Sequence, residues 1–228
     1  FNPELKVASY LFPVMKRVAI IESGNDAEED MNTMKNFMSK KIGIVLTAMG
    51  LAFPALAQGV VISEIMYHPT SGTPEEQWLE LYNPSAGEVD LSSWSFDKGI
   101  TYTFPQGTRI PGGGYLVVAA DSEVFSALHP EVKNMVGGWT GKLSFSGETV
   151  RLVDRDGAVV AKVSYTPEGD WAERRLVYDE MYNRYGWKWY AAHDGEGKSL
   201  ELVNPSLPLN IGQNWQSSLT DGGTPGAE

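Results

Sequence analysis

Three glutamates stand where residue type and spacing could do chemistry. Glu80 and Glu201 each lie between two leucines and Glu64 between Ser63 and Ile65, all in apolar stretches that read as strands. Two of them belong to a phrase the chain uses twice: Leu79-Glu80-Leu81-Tyr82-Asn83-Pro84-Ser85 returns as Leu200-Glu201-Leu202-Val203-Asn204-Pro205-Ser206. If two of these carboxylates converged, they could offer calcium some of the several oxygen ligands it takes. The plainer expectation is that all three face water from the open side of a sheet. A second group is aromatic: Trp171, Tyr178, Tyr182, Tyr185, Trp187, Trp189 and Tyr190 crowd into residues 168–199. Exposed rings concentrate binding energy, so they are the candidate binding residues, as a stacking platform for sugars or a hydrophobic partner site. The competing expectation is a lid over a sandwich edge that would otherwise accept another strand.

Other chemistry finds little support. With no cysteine there is no thiol nucleophile. No G-x-S-x-G elbow occurs, and Gly141-Lys142 runs into Leu143 where a phosphate loop needs a hydroxyl. His68 and His129 precede prolines and His193 precedes Asp194, so no i, i+4 metal pair forms. Asp154-x-Asp156-Gly157 begins like a calcium loop, but Tyr165 falls where the closing glutamate belongs. The reading is a protein that is not an enzyme and carries no cofactor.

Charge narrows the partners. From Gln58 onward there are 12 Lys and Arg against 23 Asp and Glu. Such a surface repels phosphate backbones, and Arg174, Arg175 and Arg184 sit among Glu173, Asp179 and Glu180 as a mixed-charge face. Protein or cell-surface polysaccharide is the expected partner; nucleic acid is not.

The elements that must position these residues are short strands. Twenty-four glycines and 13 prolines punctuate apolar runs about every 8–12 residues, the spacing of an all-β sandwich. Strands are predicted at 60–66, 77–82, 91–96, 101–104, 115–119, 148–154 and 159–165, and again at the second phrase. Asn83-Pro84 and Asn204-Pro205 should end their strands, since proline cannot donate to a ladder. Residues 91–96 break parity, with Leu91 on one side and Trp94 and Phe96 on the other. Asp156-Gly157 marks a hairpin, both residues tolerating positive φ. Asp121 should cap one short helix over 122–128. Residues 137–141 read as loop, 172–177 as a helical turn within the aromatic insertion, and Trp215 as a plug at one end of the core.

The first 57 residues read differently. Lys35, Lys40 and Lys41 precede the apolar run 42–56, and Ala55-Leu56-Ala57 offers small residues at an A-x-A exit. That is a signal peptide over 34–57, with 1–33 a non-native extension or a disordered segment and 58–228 the domain. The expected location is secreted or cell surface, off the membrane after cleavage. An exported domain without disulfides must rely on its core.

In order along the chain, several fragments resemble the lamin tail domain in its bacterial secreted form. They are 62–67 (ISEIMY), 77–84 (QWLELYNP), 89–94 (VDLSSW), 104–111 (FPQGTRIP), 113–119 (GGYLVVA), 146–152 (SGETVRL) and 223–227 (GTPGA). The resemblance implies an immunoglobulin-like β-sandwich with no catalytic residues to carry over. It also implies a role in adhesion, surface attachment or assembly of an exported bacterial protein. Two alternatives stand beside it: a carbohydrate-binding module working through 168–199, and an accessory domain of an enzyme whose catalytic part lies beyond residue 228.

Overall fold

Alternation of apolar and polar residues on short runs builds two stacked sheets. The computed structural model describes residues 59–227; the segments read as extension and signal peptide lie outside the described residues. The strands begin with β1 (Val61–Met66), β2 (Trp78–Tyr82), β3 (Val89–Asp90), β4 (Ser95–Lys98) and β5 (Ile100–Thr103). They continue with β6 (Arg109–Ile110) and β7 (Tyr115–Ala119), then helix α1 (Ser122–Leu128). After the helix come β8 (Met135–Gly137), β9 (Thr140–Gly141), β10 (Glu148–Val153) and β11 (Val159–Tyr165). The chain closes with β12 (Glu173–Asp179), β13 (Arg184–Tyr190), β14 (Leu200–Leu202) and β15 (Trp215–Ser217).

One sheet runs β15-β14-β1-β2-β7-β8 and the other β11-β10-β4-β5-β9, with β3-β6 and β12-β13 as separate pairs. Pairing is antiparallel except for β7 with β8, which α1 connects. Ile62, Ile65, Leu79, Leu81, Leu116 and Val118 from the first sheet meet Phe96, Val150, Leu152 and Val163 from the second in one buried cluster. Burying a side chain of this kind contributes about 1.5–3 kcal/mol, so this layer holds the domain without cross-links. Trp215 closes the cluster's edge against Trp171, its Nε1–H donating to the Leu209 carbonyl at 2.9 Å.

Local detail corrects several expectations. Residues 91–96 are not one strand: Ser93 turns at φ 65° and Ser92 N–H bonds Asp90, so β3 and β4 are separate and the parity break disappears. Leu91 and Phe96 are both buried. In the β10–β11 turn only Gly157 has positive φ, while Asp154 accepts from the N–H groups of Asp156 and Ala158. Residues 137–141 contribute β-bridge pairs rather than loop alone. Residues 173–179 form a strand, and the helical turn is a 3-10 turn at Gly169–Trp171. Alternating side chains facing a partner strand outweighed the weak helical propensity there.

Where propensity and context agree, prediction and structure coincide. Asp121 Oδ1 accepts from the N–H groups of Glu123 and Val124, and α1 lays Phe125 edge-on against Trp78. Replacing the cap with Asp121→Ala is expected to lower unfolding free energy by about 1 kcal/mol in a denaturant titration, with an unchanged m-value.

Candidate functional site

The repeated phrase explains a cluster that sequence parity alone placed wrongly. β1 lies between β2 and β14, and Glu64 stands opposite both Glu80 and Glu201. A bulge at Ser63 puts Ile62 and Ile65 both towards the core while Glu64 faces outward beside its two neighbours. Cross-strand neighbours place their Cβ atoms about 4.5–5.5 Å apart. The outward face is not open to water: Glu64 is 2% exposed and Glu80 1%. The expectation of solvent-facing glutamates fails for Glu64 and Glu80 because the 218–227 segment, reached only through the tertiary fold, lies across them, whereas Glu201 is only half-buried.

That C-terminal strap supplies donors. Thr224 N–H donates to Glu64 Oε1 at 2.9 Å, and Gly226 N–H donates to Glu80 Oε2 at 2.6 Å. Thr224 Oγ1 donates to Glu201 Oε1 at 3.1 Å. From the sheet side, Ser63 Oγ donates to Glu80 Oε1 at 2.7 Å and Ser199 Oγ to Glu64. The strap approaches so closely that a Cβ on Gly223 would stand 2.3 Å from Glu64 Oε1. The oxygens thus converge as the calcium reading required, but N–H and O–H groups hold them. Among the described residues, no group of three or more His, Cys, Asp and Glu could hold a metal ion. Burial, followed by smaller opposing hydrogen-bond and like-charge effects, pushes the Glu64 carboxyl up to about 7 and the Glu80 carboxyl up to about 8.

The aromatic insertion is a ribbon. β12 and β13 pair in full register, with Arg174 opposite Trp189, Leu176 opposite Trp187 and Tyr178 opposite Tyr185. These six side chains share one face. The other face carries Glu173, Arg175, Asp179, Arg184, Lys188 and Tyr190. All six on the first face are exposed, Trp187 at 61% and Trp189 at 48%. A lid would bury them, so the lid reading does not describe this ribbon. The structure brings Tyr178, Tyr185, Trp187 and Trp189 together and separates the rest. Tyr190 lies on the opposite face over Arg175, Tyr182 in the turn under Arg184, and Trp171 against Trp215.

The ribbon is rooted by a buried histidine that sequence reasoning set aside. His193 follows β13 and Trp171 precedes β12. His193 Nε2 lies 2.8 Å from the Trp171 carbonyl, which can only accept, so Nε2 carries the proton. Its Nδ1 then accepts from the buried Tyr67 hydroxyl at 2.7 Å. Burial pushes His193 below its ordinary value, keeping the ring neutral.

A model of the lamin tail domain matches residues 54–167, half of the chain. The chain belongs to the lamin tail domain family. No curated protein matches it. The family is one of non-catalytic, immunoglobulin-like domains, in keeping with the two stacked sheets here. The lamin tail domain match ends before β12, so the ribbon, β14 and the strap lie beyond the matched stretch. One pair has a catalytic look: His68 Nδ1 lies 2.6 Å from Asp194 Oδ1, its ring stacked on Phe145. Among the described residues no hydroxyl is hydrogen-bonded to its Nε2.

The glutamate row sets a pH dependence. Carboxyls raised on folding stabilise fully below about pH 4.5, their ordinary value, and that stability is lost as pH rises through about 7 and 8. His193 and His129, both lowered chiefly by burial, act oppositely, losing stability as pH falls below 6.5, so above about pH 7 the glutamates set the slope among the described residues. The unfolding midpoint is expected to fall between pH 7 and 9. Glu80→Gln, whose oxygen can accept from Gly226 N–H while its NH2 donates to Ser63 Oγ, should flatten that fall and be the more stable protein at pH 9.

Proposed function

We propose that this chain is a contact module of an exported protein, serving adhesion, surface attachment or assembly without catalysis, and that it binds through the apolar ribbon face. The observation carrying this reading is the unpartnered face formed by Leu176, Tyr178, Tyr185, Trp187 and Trp189 with Arg174. At about half exposure of rings that bury 150–250 Å² each, the face offers on the order of 500 Å² of largely apolar surface. Patches of that size on a folded protein are commonly interaction sites. A two-stranded ribbon is marginal in water by itself, so burying this face against a partner both binds and orders it.

Export is supported by the basic start, apolar run and A-x-A exit of residues 34–57. The family's non-catalytic character supports the absence of chemistry in this chain.

Trp187→Ala and Trp189→Ala test the reading together. Both are expected to leave the unfolding free energy within about 0.5 kcal/mol, because these side chains touch little of the body. Each should weaken retention on cell-envelope preparations of the source organism about tenfold or more. Unchanged retention in the double variant would refute the assignment of the surface.

A further inference from the structure

The charge pattern of the ribbon points to a class of partner, and this inference rests on the ribbon being the contact surface. Arg174 is the one charged side chain on the apolar face, which has no acid of its own. Its guanidinium carbon lies 5.3 Å from the Trp187 ring centre and 5.4 Å from that of Trp189. Arg109, Arg151 and Arg175 each have a carboxylate within ion-pair distance, whereas among the described residues Arg174 has none. A guanidinium beside aromatic rings, its N–H groups unclaimed, is a ready donor for a carboxylate or sulfate.

The surroundings reinforce that choice. Residues 173–190 hold four basic side chains and three acidic ones, on a chain whose net charge is −11. An anionic ligand is therefore drawn to the ribbon and repelled by the body, which fixes where it docks. Tyr185, Trp187 and Trp189 occupy alternate positions of β13, so their rings repeat about every 7 Å along a row about 14 Å long. A row of ring faces suits the C–H faces of linked sugars. A second copy of the chain would bring another arginine and no carboxylate. Two such faces together would bury on the order of 1,000 Å², below the usual range for a stable dimer. Nucleic acid carries a phosphate about every 1.7 Å, a charge density that the acidic body opposes.

We propose that the ribbon binds an anionic polysaccharide, with sugar rings stacking on Trp187 and Trp189 and the acid group taken by Arg174.

The full chain is tested by affinity electrophoresis in gels containing polygalacturonate, dextran sulfate or neutral dextran. Retardation by one or both acidic polymers and not by neutral dextran is expected. Polygalacturonate alone assigns a uronate and dextran sulfate alone a sulfate ester. Arg174→Gln should weaken that retardation about tenfold, and Trp187→Ala comparably, with unchanged unfolding midpoints. Retardation that survives Arg174→Gln overturns the proposal, as does equal retardation by neutral dextran or none by either acidic polymer. Binding only to phosphatidylglycerol vesicles, or only concentration-dependent dimerisation in sedimentation, also overturns it while leaving the ribbon as the contact surface. The contact surface itself fails only when the Trp187/Trp189 double variant is retained on envelope preparations as wild type is.

Discussion

Three carboxylates sharing one row of a sheet face make a constraint that the rest of the domain must satisfy. Glu64, Glu80 and Glu201 stand on adjacent strands, and two of them are cut off from water. Charged together in an apolar surround they would repel strongly, so the fold must supply protons, donors or both. It does both. The strap brings the N–H groups of Thr224 and Gly226 down onto the row, and burial lifts two of the carboxyls towards neutrality. β1 and the 218–227 segment are thereby tied together across nearly the full span of the described residues. Val117 and the Trp78–Phe125 contact under α1 cover the neighbouring part of the same face.

With that face covered and the inner faces packed on each other, the body is complete, and the ribbon is left over. Its stems are fixed by His193, which links the Trp171 carbonyl to the Tyr67 hydroxyl in the core. Beyond the stems the ribbon makes its own cross-strand and cation–π contacts and turns a row of rings outward. Evolution of a contact surface on such an element leaves the sandwich undisturbed, which suits the proposed attachment role.

Much of this was legible from residue order. β7, α1 and its Asp121 cap, and the Asn-Pro stops of β2 and β14 follow from local rules, and local rules held because nothing distant opposed them. The parity break at 91–96 was a true signal whose cause, the left-handed Ser93, leaves no mark in an ordinary serine. The glutamate row was half legible: the repeated phrase made Glu80 and Glu201 equivalent. Only the order β14-β1-β2 set both beside Glu64, and only the strap buried Glu64 and Glu80. The aromatic insertion stood out by composition as a candidate surface, but a list of seven rings hid two faces. Strand pairing sorted them, sending Tyr190 to the far side and Trp171 into the body. His193 gave no warning, because a lone histidine beside an aspartate has no pattern until Tyr67 and Trp171 close around it.

The independence of body and ribbon is most directly tested by excision. Glu173 and Tyr190 are paired across the ribbon's base, so Ala172 and Ala191 can be joined by a Gly-Ser link after residues 173–190 are removed. Unfolding of this shortened chain, followed by circular dichroism and intrinsic fluorescence, should remain a single cooperative transition with a midpoint close to that of the parent. Loss of the cooperative transition would mean that the ribbon is part of what holds the sandwich together, and would contradict the account.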